Sequence, residues 1–97
     1  MAQVAQRAKL REWIEDYLDY LFREWESIPA LAAEWEEWDE NSKLTFVIDW
    51  GVPEDRLGQL RQWAEKDLLT PAQRARYEEL LWLVAQHRPV LERLLHG

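Results

Sequence analysis

Cysteine is absent from this sequence, which excludes disulfides and thiolate chemistry and suits a reducing or a redox-indifferent compartment. Glycine is scarce: Gly51, Gly58 and Gly97 stand alone, so neither a phosphate-cradling loop nor a dinucleotide fingerprint can be written. The histidines are His87 and His96, preceded at three residues by Val84 and Arg93, so the Glu-x-x-His pairs of a di-metal carboxylate bundle are missing. Ser27 and Ser42 stand beside helix breaks, where capping accounts for them, and no nucleophile with an activating base remains. No enzyme activity, cofactor or metal site is therefore expected. Long apolar runs are lacking too. No stretch nears the roughly 18 residues of a membrane span, and Met1 to Arg11 holds no signal-peptide run, so a soluble, cytoplasmic protein is expected.

What the chain does hold is helix-forming residues: Leu, Ala, Glu, Arg and Gln abound, and 47% hydrophobic content is enough to drive folding against 32% charge. At 97 residues this predicts a single helical domain over 1–97. The net charge of −7 sits wholly in the first half. Residues 1–52 carry 5 Lys or Arg against 12 Asp or Glu, whereas residues 53–97 carry 7 of each. Such a surface repels phosphate and anionic lipid and favours a basic partner, although net charge also serves solubility.

The clearest element runs from Thr70 to Leu95. Thr70 suits the N-cap, Pro71 the first helical position and Gln73 the return arm of a capping box. Tyr77, Leu80, Leu81, Val84, Leu91 and Leu95 then form one stripe, and the run Leu80-Leu81-Trp82-Leu83-Val84 covers the whole circumference, predicting neighbours on every side. A first helix is expected over Val4 to Trp25, with Leu10, Ile14, Tyr17, Leu18, Leu21, Trp25 and Ile28 inward. Its outer face repeats like charges one turn apart at Glu12–Asp16 and Glu15–Asp19, each worth about 0.2–0.5 kcal/mol against the isolated helix. Pro29 ends it near Ser27, and a second helix spans Pro29 to Glu40.

Lys43 to Trp50 mixes strand formers into a helical chain. Lacking a partner strand, it reads as a short helix capped at its start by Ser42 and ended by Gly51 as the C′ residue. Pro53 opens a fourth helix with Leu57, Leu60, Trp63, Ala64 and Leu68 inward, and Gly58 leaves room for another backbone. A short turn joins it to the last helix, in which Pro89 forces a kink or restart near His87-Arg88. The fold expected is an all-α bundle of four to five helices, with a C-terminal hairpin and a long central last helix.

Function reads as protein interaction. Trp25, Trp35 and Trp38 alternate with Glu36, Glu37 and Glu40, setting aromatic anchors in a negative field, and Trp82 with Leu83 adds apolar surface beyond what five helices cover. These eight residues are the candidate partner-binding set. The partner is a basic protein, a second copy of the chain, or both. Inhibitor- or antitoxin-like neutralisation of a nucleic-acid-binding protein suits the charge, because carboxylates can occupy sites built for phosphate. A helix-turn-helix regulator using Gln73, Arg74 and Arg76 is an alternative, opposed by the acidic balance and by a turn without glycine. A purely structural subunit of a larger complex is another.

Overall fold

Helices account for nearly all of the computed structural model, which describes residues 2–96 and, among these, contains no strand. In chain order they are α1 (Ala2–Glu26), α2 (Ile28–Glu34), a 3₁₀ turn (Trp35–Glu37), α3 (Glu40–Asp49), α4 (Gly51–Glu65) and α5 (Pro71–His96). The all-α expectation holds. The expected bundle of four to five helices is corrected to three long helices, α1, α4 and α5; α2 and α3 are short pieces laid against the end of α5 and the start of α4. Pro29 stands at the start of α2, the extended backbone of Trp38 ends the 3₁₀ turn that follows it, and the turn at Trp50 separates α3 from α4.

The capping box forms as the sequence dictates. The Thr70 N–H donates to Gln73 Oε1 at 3.1 Å, and the Gln73 N–H donates to Thr70 Oγ1 at 3.2 Å. Gln73 also does something its sequence position does not announce. It is 3% exposed, and its Nε2 donates to the Arg11 carbonyl and to Glu15 Oε1, so a buried amide is fully satisfied while it fixes α5 against α1. One turn on, Arg76 reaches Glu15 and Asp19 at 2.8 Å each, so the like-charge pair on α1 is spanned by a guanidinium from α5. Arg74 donates to the Ala64 carbonyl at 2.9 Å, adding a side-chain donor from α5 at the end of α4.

These contacts set α1 and α5 parallel, with α4 antiparallel to both. Ile14, Leu18, Leu21, Trp25 and Ile28 from the α1–α2 side meet Leu57, Leu60 and Ala64 of α4 and Tyr77, Leu80, Val84 and Leu91 of α5. Each fully buried Leu or Ile contributes about 1.5–3 kcal/mol. The radius of gyration is 15.6 Å, against about 13 Å for a compact domain of this size, and the extents are 53 × 23 × 18 Å.

Several local expectations are corrected. Gly51 is not a left-handed C′ residue: no glycine among the described residues has positive φ, and Trp50, at φ −65° and ψ −15°, links α3 directly to α4. The left-handed position is Asp67, φ 59°, where the Asp67 and Leu68 N–H groups bond back to the Ala64 and Trp63 carbonyls as a Schellman motif. That reversal turns Leu68 outward, 42% exposed, and buries Leu69 instead. Leu81, expected on the inner stripe of α5, lies 39% exposed at its edge. α3 is capped by Asp39, whose carboxylate accepts from the Ser42 N–H at 2.7 Å, rather than by Ser42. α5 runs through Pro89 without a restart. Ala85 and Pro89 are both exposed, so the carbonyl left without a helical partner faces water.

Gly58 admits no close backbone either, since a Cβ built there meets nothing within 4 Å. Gly58→Ala is therefore expected to stabilise the fold by about 1 kcal/mol, through helix propensity and a less disordered unfolded chain. A urea midpoint that rises at constant m-value would show it.

Candidate functional site

At the end of the molecule where α2 gives way to α3, the backbone gathers aromatic side chains. The 3₁₀ turn closes at Trp38, whose extended backbone (φ −78°, ψ 143°) hands the chain to the Asp39 cap. Trp35 and Trp38 thereby stack at 5.6 Å between centroids and meet Phe46 of α3 at 5.5 and 6.3 Å. The series continues inward, Phe46 to Trp50 at 5.5 Å and Trp50 to Trp25 at 5.3 Å, so ring contacts run from the surface into the core.

The expected partner-binding residues divide accordingly. Trp25 is withdrawn from the set: it is 0% exposed, covered by Trp50 and by the Arg88 guanidinium 5.1 Å from its ring, and its Nε1 has no acceptor among the described residues. Trp35 and Trp38 are half-buried beside Glu36, Glu37 and Glu40, which are exposed. Trp82 and Leu83 lie elsewhere. Trp82 is 65% exposed on the outward side of α5, so the predicted enclosure of the Leu80–Val84 turn is absent within one chain, and Leu83 is half-buried against the core.

Residues not singled out from the sequence complete the site. On the outer side of α3, Leu44 is 58% exposed and Ile48 68%, and Val52 continues the row at 49%. Their four-residue spacing was open to reading. What hid them was the strand-like composition of the segment, which obscured the side that would face water. A groove runs along each flank of α3. One, about 430 Å³, is lined by Trp38, Asp39, Ser42, Thr45, Phe46 and Asp49; the other, about 380 Å³, is lined by Trp35, Glu36, Glu40, Lys43, Leu44 and Val47 together with the end of α5.

Compared with family models, with curated proteins and with solved structures, the chain matches none. The site's own groups set its chemistry. It presents apolar surface, ring faces and carboxylates. Lys43 sits 5.6 Å from the Trp35 ring and 3.9 Å from Glu40, an ammonium held by both an indole and a carboxylate. Among the described residues, Glu36, Glu37 and Asp49 have no cation within 4.0 Å. His96 pairs with Glu92 at 3.0 Å, as their four-residue spacing suggests, at the exposed end of α5.

Asp39 is held below the usual carboxylate range by the N–H of Ser42 and then by the Ser42 hydroxyl. A group whose folded pKa is depressed gives its support above the ordinary value near 3.8 and loses it as pH falls through the lowered one. Acid titration is thus expected to fray the first turn of α3 below that range. A Ser42 amide resonance that ignores acidification in the wild type, or moves equally in Asp39→Ala, would contradict this.

Proposed function

We propose that this chain is a small acidic interaction module that holds a cationic segment of a partner protein against the aromatic, carboxylate-rich end formed by the 3₁₀ turn and α3. The observation that carries the reading is the exposed row Leu44, Ile48 and Val52 on a helix whose flanking grooves are lined by Asp39 and Asp49 on one side and Glu36 and Glu40 on the other. Apolar contact supplies affinity there, while the negative field steers encounter and selects against acidic partners. Inhibitor-like masking of a phosphate-binding surface is the biological form this chemistry favours, and a cytoplasmic setting fits a chain without cysteine. Gln73, Arg74 and Arg76 all bond to other groups of the same chain, which disfavours the DNA-reading alternative.

The test is a titration with an amphipathic helical peptide of leucine and arginine. Binding at low salt that weakens as salt rises, with a slower on-rate after Glu36→Lys, Glu37→Lys and Glu40→Lys, is expected. No binding, or an on-rate indifferent to the reversals, overturns the reading. Self-association is the second possibility, favoured by Trp82 on the outside of α5. It calls for at least twice the 11.7 kDa of one chain in sedimentation equilibrium, and loss of that mass in Trp82→Glu.

A further inference from the structure

The two grooves beside α3 differ in whether the chain supplies a cation to them. In the groove on the Trp35 side, Lys43 already supplies an ammonium to the indole and to Glu40. The groove on the Trp38 side has the same components, ring faces from Trp38 and Phe46 and the carboxylate of Asp49, with no cation of the chain among its lining residues. Asp49 is the last residue of α3, whose final turn contains no basic residue. Among the described residues no cation of the chain lies within 4.0 Å of this carboxylate, so one seated beside Asp49 would be its first ionic partner. The rings are nearly perpendicular, 85° apart at 6.3 Å, so a planar cation lying flat on one meets the edge of the other.

From this we infer that the groove lined by Trp38, Ser42, Thr45, Phe46 and Asp49 receives an arginine side chain of the partner, its guanidinium stacked on an aromatic face and bonded to the Asp49 carboxylate. Arginine fits better than lysine because its flat, weakly hydrated fork both stacks and pairs two-pronged with a carboxylate. The inference rests on the interaction-module reading and narrows it to one groove and one side chain.

The probe is N-acetyl-arginine methylamide, followed by nitrogen–proton NMR, with the citrulline analogue as a neutral isostere. Saturable shifts of the Trp38 indole N–H and of the Ser42 and Asp49 amides are expected with the arginine compound and not with citrulline. Asp49→Asn and Trp38→Leu should each weaken binding about two- to fivefold, whereas Glu78→Gln, on the exposed side of α5, should leave it unchanged. Asp49→Asn should melt close to the wild type, because Asp49 is exposed and its carboxylate has no ionic partner among the described residues, and it serves alone if Trp38→Leu folds poorly. Shifts spread over all exposed carboxylates, or binding untouched by Asp49→Asn, overturn the inference. The leucine–arginine peptide separates the two claims: if it binds wild type and Asp49→Asn alike, the groove is wrong and the module stands; if it binds neither, the module itself falls.

Discussion

Replacing Trp25 by alanine is expected to remove about 3–5 kcal/mol of folding free energy, a large part of the roughly 5–15 kcal/mol available to a domain. Trp25 is fully buried, and its ring meets Trp50 edge-on and lies under the Arg88 guanidinium, so truncation opens a cavity where α1, α4 and α5 meet and removes two aromatic contacts with it. Arg88 also donates to Glu54, which accepts in turn from the Trp50 indole at 3.1 Å, so the loss spreads to the α4–α5 contact. Trp25→Phe should behave differently. It gives up area but also removes a buried N–H without an acceptor, whose burial costs about 1–3 kcal/mol, and the two changes largely offset one another. Urea unfolding of both variants distinguishes the cases. A phenylalanine variant as unstable as the alanine one would mean that Nε1 does find a partner, such as a trapped water.

The second large effect lies on α5, where Leu80→Ala should cost about 2–5 kcal/mol and Trp82→Ala less than about 0.5 kcal/mol in the monomer. Leu80 is 0% exposed and Trp82 65%, two residues apart on the same helix. The contrast tests which side of α5 packs. Equal losses at the two positions, measured where sedimentation shows a single chain, would mean that another surface covers Trp82.

Signals confined to a few residues were legible in the sequence. Thr70 and Gln73 are three apart and bond each other as that spacing implies; Pro29 ends α1 for reasons internal to the backbone; the stripe from Ile14 to Ile28 buries because its period matches the helix. Failures came where the deciding neighbour is far along the chain. Nothing near Glu15 and Asp19 reveals that Arg76 will sit between them, and Trp25, Trp35 and Trp38 look alike until Trp50 and Arg88 close over the first alone. The five apolar residues from Leu80 to Val84 indicated enclosure, yet the outer ones remain in water. Circumferential greasiness states what a helix tolerates and not what surrounds it. The site was half visible: the glutamates and Trp35 and Trp38 were, whereas Phe46, Ile48 and Asp49 were concealed in a segment whose composition argued for a strand.

The shape of the body bears on how any assembly must be weighed. A particle more than twice as long as it is wide, 53 by 23 Å, suffers extra friction and leaves a sizing column ahead of a sphere of equal mass. Early elution would therefore overstate the mass of one chain, and methods blind to outline, such as light scattering, count the copies directly.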